Sequence, residues 1–226
     1  EVTYIPVDRY GVVDIEELKK SINKDTFLIT IMHANNEIGT IQRIKEISAI
    51  AKERGIYFHT DAVQTAGKIP VSVKDLGVDM LSLSGHKFYG PKGIGALYIR
   101  KGTKISPILY GGEQEKGRRA GTENVPGIVG IGKAAEIAKS EMEEEAERVK
   151  LLRDKLANGI KDRIPEIIIN GHPEQRLFNT LNMCIKYIEG EGILLHLDME
   201  GICASSGSAC TSGSLEPSHV LLALGL

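Results

Sequence analysis

Three short apolar runs, each followed by a turn or by apolar residues at helical spacing, constrain this chain more than any other feature. Residues 27–32 form a β-branched run after the turn-like Asn23-Lys24-Asp25, and Ile44, Ile47 and Ile50 then recur as one buried helix face would. A second run, 56–58, follows Gly55 as a helix stop and leads to Asp61. A third, 80–83, leads to Lys87. This strand-helix-strand alternation predicts an α/β fold with a mainly parallel sheet and flanking helices. Ligands of such sheets bind beyond the carboxyl ends of the strands, where Asp61 and Lys87 are expected to lie.

From residue 129 to about 164 the spacing predicts one long amphipathic helix or two abutting ones. The acidic run Glu141, Glu143, Glu144, Glu145 reads as a solvated face. Beyond it, 166–169, 180–188 and 196–204 look like strands around a helix at 190–195, a smaller α+β domain. The expected division is a large α/β domain at 1–140 and a small C-terminal domain at 141–226. The chain starts at Glu1 without Met and stops at Leu226 directly after the helical pattern 219–224. It reads as an internal fragment lacking the first part of the large domain and the last part of the small one.

With 28 Lys and Arg against 30 Asp and Glu, the net charge of -2 offers no broad basic field, so nucleic acid is not an expected partner. Apolar runs fall far short of the ~20 residues of a membrane span, and the first residues lack a signal-peptide pattern. The three cysteines, Cys184, Cys203 and Cys210, show neither CxxC nor zinc-finger spacing. A reducing, cytoplasmic setting without a metal site is expected. Cys184 and Cys203, in strand-like stretches, read as buried structural residues.

The densest chemical signal is Ser84-Gly85-His86-Lys87-Phe88-Tyr89-Gly90-Pro91-Lys92-Gly93-Ile94-Gly95. A strand-end lysine can be desolvated, and lowering its pKa frees the neutral amine as a nucleophile toward a carbonyl. The glycines do not match P-loop spacing and are weak by themselves. Upstream, His59-Thr60-Asp61-Ala62-Val63-Gln64 adds a carboxylate and an amide at the adjoining strand end. A pyridoxal cofactor needs that combination: a carboxylate to keep a proton on the ring nitrogen, and an amide near the phenolic oxygen. Singly, Asp61 reads equally as a helix cap and Gln64 as a surface residue.

These segments, together with Met32-His33-Ala34-Asn35-Asn36-Glu37-Ile38-Gly39, Arg119-Ala120-Gly121-Thr122 and Ser205-Ser206-Gly207-Ser208-Ala209-Cys210-Thr211-Ser212, resemble the NifS/IscS-type cysteine desulfurases, fold-type I pyridoxal-phosphate enzymes, of group I with its longer catalytic segment. The resemblance implies that pyridoxal 5'-phosphate is linked at Lys87, faced by Asp61 at the ring nitrogen, and hydrogen-bonded near the phenolic oxygen by Asn36 and Gln64. Ser84 and His86 would hold the phosphate, and Thr122 would reach the phosphate of a partner subunit in a homodimer. His33 and His59 are left as local structural groups.

Cys210 lies in a Gly- and Ser-rich stretch, 204–214, before Glu216-Pro217, where proline suits the first turn of a helix. The resemblance makes its thiol the acceptor of sulfur from L-cysteine, leaving L-alanine and a Cys210 persulfide for an iron-sulfur scaffold protein or another acceptor. The family's stacking histidine, Gly-Ala-Thr phosphate cup and carboxylate-binding arginine have no counterpart in these 226 residues. Rival readings are a selenocysteine lyase, an aminotransferase, which the Cys210 segment disfavours, and a catalytically idle scaffold-binding module.

Overall fold

The computed structural model describes residues 1–206 and 218–226, and the chain divides into two compact units. One comprises Lys24–His33 and Ile44–Glu144. The other comprises Glu1–Asn23, Ala34–Arg43 and Glu145–Leu226. In chain order the elements are α1 Ile15–Ser21, β1 Leu28–Met32, α2 Ile44–Glu53, β2 Tyr57–Asp61, α3 Val73–Leu76, β3 Met80–Ser84, β4 Gly95–Ile99, α4 Gln114–Gly117, α5 Val125–Lys161, β5 Ile167–Ile169, β6 Met183–Ile185, α6 Gly190–Met199 and α7 His219–Ala223.

In the first unit β1, β2 and β3 lie side by side in parallel, as the alternation predicts, and β4 returns antiparallel to β3. Ile29, Phe58 and Leu81 are buried on one face, where α2 packs over β2 with Ile44, Ile47 and Ala51 buried. The period of two sends Thr30, His59 and Ser82 to the opposite, partly exposed face. A tight connection, including a 3-10 turn at Gly85–Phe88, suffices to reverse the chain into β4 because antiparallel neighbours need no helical crossover. Gly95, paired with Ser84, is required there: a Cβ would stand 2.7 Å from the Leu83 carbonyl oxygen.

The long helix α5 begins four residues earlier than its apolar spacing suggests. Asn124 Oδ1 accepts from the Gly127 amide at 3.1 Å, and Pro126 is tolerated in a first turn. Ile131, Ala134 and Ala138 recur on one side of this helix. Each lies 3.3 Å from where a Cβ would stand on Gly85, Gly90 and Gly67 respectively, so small residues let the turns after β2 and β3 seat against it.

In the second unit β5 and β6 form an antiparallel pair with Ile168 opposite Cys184. The Thr40 hydroxyl is fully buried, donating to the Tyr10 carbonyl at 2.6 Å and accepting from the His172 amide at 3.0 Å. Two expectations are corrected here. Residues 196–199 are helical rather than extended: α6 runs on to Met199 and stops at Gly201, whose φ of +74° lets the Gly201 and Ile202 amides bond back to the Asp198 and Leu197 carbonyls. Cys203 is exposed and outside any strand, whereas Cys184 is half-buried with its Sγ accepting from Asn170 Nδ2 at 3.2 Å. Helix α7 runs His219–Ala223, with the Ser218 hydroxyl capping it by accepting from the Val220 amide; Glu216-Pro217, expected to open a helix, lie outside the described residues. Among the described residues no helix is long and apolar enough to cross a membrane.

Candidate active site

The carboxyl end of β2 is finished by a hydrogen-bonded turn. Asp61 is the last residue of the strand, between Met32 of β1 and Ser82 of β3. Its carbonyl accepts from the His33 amide at 2.8 Å, the Ala62 amide donates to the Ser82 carbonyl at 2.9 Å, and Asp61 Oδ1 accepts from the Val63 amide at 2.8 Å. The carboxylate is thus also the turn cap that Asp at a strand end suggests. The Ala66 and Ile69 amides bond back to Ala62 and Thr65.

Buried His33 braces that turn. Its Nδ1 lies 3.0 Å from the Thr65 hydroxyl, and that hydroxyl donates to the Ala62 carbonyl at 3.2 Å. With the Thr65 hydrogen so committed, Nδ1 must carry the proton and donate. Burial holds His33 below the usual imidazole range, which favours the neutral ring with its proton on Nδ1.

On the polar sheet face His59 Nδ1 lies 2.7 Å from the Thr30 hydroxyl and Nε2 lies 2.8 Å from the Ser82 hydroxyl, a hydrogen-bonded row across β1, β2 and β3. Two residues along β2, Asp61 shares that face. Burial pushes the His59 pKa down, and the Asp61 charge pulls the other way.

Lys87 is half-buried in the 3-10 turn directly after β3. Beside it the Ser84 hydroxyl and exposed His86 Nδ1 are 3.0 Å apart. Gln64 lies on the turn after Asp61, with Oε1 accepting from Lys68 Nζ at 3.5 Å. One unit therefore carries Asp61, Gln64, Ser84, His86 and Lys87 at the ends of adjacent strands. Thr122 belongs to the same unit but is exposed in the loop before α5. Asn36 is exposed on a turn of the other unit, where Asn35 Oδ1 accepts from the Glu37 and Ile38 amides. Cys210 and the glycine- and serine-rich stretch around it lie outside the described residues.

Residues 1–225 match the aminotransferase class-V family. The chain belongs to that family. Its aminotransferase class-V fold is seen in solved structures too: a NifS-like protein superposes with a TM-score of 0.90 at 45% identity over 100% of this chain and 59% of that one, and a structure described as SspA in complex with cysteine gives 0.81 at 39% over 100% and 62%. Curated relatives named cysteine desulfurase IscS are 62% identical in Dictyoglomus turgidum and 63% in Methanosarcina thermophila, each over the whole chain. The chain spans 57% and 56% of their lengths.

Class-V aminotransferases and their desulfurase members depend on pyridoxal phosphate. The described donors fit that group: a carboxylate fixed at one strand end, a half-buried amine after the next, and a hydroxyl-imidazole pair beside the amine. Sequence reasoning left His59 as a local structural group and did not single out Lys68. His59 was legible as a same-face neighbour from its two-residue spacing to Asp61, and Lys68 from its four-residue spacing to Gln64 in a helical turn.

Proposed function

We propose that the whole protein is a cysteine desulfurase, converting L-cysteine to L-alanine and passing the sulfur to Cys210 as a persulfide. What carries this reading is the pairing of a tied-down carboxylate, Asp61, with a half-buried lysine, Lys87, after adjacent parallel strands. When bound, pyridoxal phosphate supplies an electron sink that loosens bonds around the substrate α-carbon. Lys87 holds the cofactor and, once released, moves a proton at the substrate α-carbon. Asp61 keeps the ring nitrogen protonated, while Gln64 and Asn36 bond near the phenolic oxygen and Ser84 and His86 hold the phosphate. The Cys210 thiolate attacks the substrate sulfur: the carbon-sulfur bond breaks, a sulfur-sulfur bond forms, and the carbon fragment takes up a proton on its way to alanine.

The reading extends to a homodimer in which Thr122 reaches the phosphate held by a second copy, to a cytoplasmic setting, and to an iron-sulfur scaffold protein or another thiol as acceptor. It retains residues 1–140 as the cofactor-binding domain and 141–226 as the domain carrying Cys210. The test uses the full-length enzyme. Borohydride reduction followed by peptide mapping should mark Lys87. Cys210→Ser should keep the cofactor and lose alanine release, while Cys184→Ser and Cys203→Ser stay active. A label on another lysine, or full activity in Cys210→Ser, would overturn the assignment.

A further inference from the structure

Lys68 is a second lysine beside the proposed cofactor lysine, and its surroundings are specific. It is half-buried at the end of the turn that begins with Asp61, and its Nζ contacts Gln64 Oε1 at 3.5 Å. The turn is pressed against the Lys87 turn: a Cβ on Gly67 would stand 2.6 Å from Phe88 Cβ and 3.3 Å from Ala138 Cβ. Gly67, with φ +76°, is thus the residue that lets the backbone bearing Lys68 lie against the backbone bearing Lys87.

A primary amide has one accepting and one donating end. With Oε1 turned to an ammonium, which can only donate, the -NH2 of Gln64 is the end left free. A phenolic oxygen that carries negative charge calls for that donor. We infer that Lys68 is a positioning residue: it fixes the amide of Gln64 as a donor and sets a positive charge beside Lys87 that favours the neutral form of the cofactor-bearing nitrogen. Burial, and next the positive charge of Lys87, holds Lys68 below the usual lysine range. The neighbours that pack on Gly67, Phe88 and Ala138, carry no charge, and Lys87 is the charged group acting on Lys68.

The inference rests on the reading of Lys87 given above, and one titration separates the two. Full-length, cofactor-loaded enzyme is scanned for visible absorption against pH as wild type, Lys68→Met and Lys68→Arg, with Lys68→Gln as the alternative if the Met variant does not accumulate. Removing the charge should raise the pH midpoint of the absorption change by about half a unit or more, and Lys68→Arg should stay near wild type. In a Gln64→Leu background the shift should shrink, since one of the two routes is gone. An unmoved midpoint in Lys68→Met, or an equal shift in Lys68→Arg, overturns the role of Lys68 while leaving Lys87 in place. If borohydride fixes the cofactor elsewhere, the reading of Lys87 falls first and that of Lys68 with it.

Discussion

The turn after β2 and the loop before α5 both carry residues proposed to meet the cofactor, yet they are held in opposite ways. Asp61 to Lys68 is tied into the sheet through the buried His33 amide and ring, the half-buried Ser82 carbonyl and the fully buried Thr65 hydroxyl. Around Thr122 the bonds are exposed and local, the Gly121 amide to Gln114 Oε1 at 3.1 Å and Arg119 Nη1 to the Gly121 carbonyl at 3.4 Å. Nearby, Ile108 is 90% and Tyr110 84% exposed. Groups on strand ends are set by the sheet before a ligand arrives, whereas an exposed loop takes its final geometry from what docks on it. The proposed division of labour follows: the turn serves this chain's own site and the loop serves a second copy.

The comparison breaks most completely at Lys87. Lys87→Ala in cofactor-treated full-length enzyme should lose the visible colour and slow alanine release by about a thousandfold or more, measured by absorption and an amino-acid assay. Next in size is a pair of glycine substitutions. Gly67 and Gly117 both have positive φ, +76° and +72°, but a Cβ on Gly67 meets Phe88 at 2.6 Å while one on Gly117 meets nothing within 4 Å. Gly117→Ala should therefore cost about 1 kcal/mol from backbone conformation alone, and Gly67→Ala roughly 2–3 kcal/mol because overpacking adds to it. Urea midpoints decide between them. Equal losses would mean that the two turns are equally loose.

The sheet was legible because its signals are local. Runs such as 80–83 and the i, i+3 recurrence of Ile44 and Ile47 are properties of single elements, and Asp61 and Lys87 followed from them as strand-end residues. The strands of the second unit were less legible because β5 and β6 have only three residues each, too few for alternation to declare itself against a helical reading. At 196–199 the polar-apolar alternation His-Leu-Asp-Met read as a strand, and the deciding signal was the stop at Gly201 rather than the residues before it. The roles of His33 and His59 were out of reach, since Thr65 and Ser82 become their partners only once the strands are in register. Lone histidines in a sequence give no hint of such pairing.

A smaller effect separates the braced turn by pH. The folded-state pKa of His33 is lowered by burial from its ordinary 6.5, so the unfolded chain binds the proton more readily. Stability from this site is present above about pH 6.5 and is lost progressively as pH falls from there toward the lowered folded-state value. His59 shifts in the same direction, so the readout is the difference between wild type and His33→Gln. The variant should be less stable at pH 8 by about 1–2 kcal/mol, through loss of the Thr65 bond, and should lose less on acidification. Parallel pH profiles would show that His33 is not the titrating brace.

The smallest expected change in stability is at Thr122, and it sharpens the comparison most. Thr122 is exposed in a loop whose described bonds are made by its neighbours, so Thr122→Ala should alter the urea midpoint by no more than about 0.5 kcal/mol. If its hydroxyl serves the phosphate of a second copy, the variant should nevertheless release cofactor more readily on dialysis. A hydrogen bond to the charged phosphate, about 1.5–3 kcal/mol, corresponds to a roughly ten- to hundredfold weaker hold when it is lost. Mixed dimers add the decisive arm: pairing Thr122→Ala with a Lys87→Ala partner leaves one lysine-bearing site, supplied by a wild-type Thr122 from the partner. That site should retain cofactor as wild type does, whereas placing both substitutions in one chain of the dimer leaves the lysine-bearing site without its Thr122. Equal retention in the two arrangements would place Thr122 outside any shared site and remove the loop's side of the comparison.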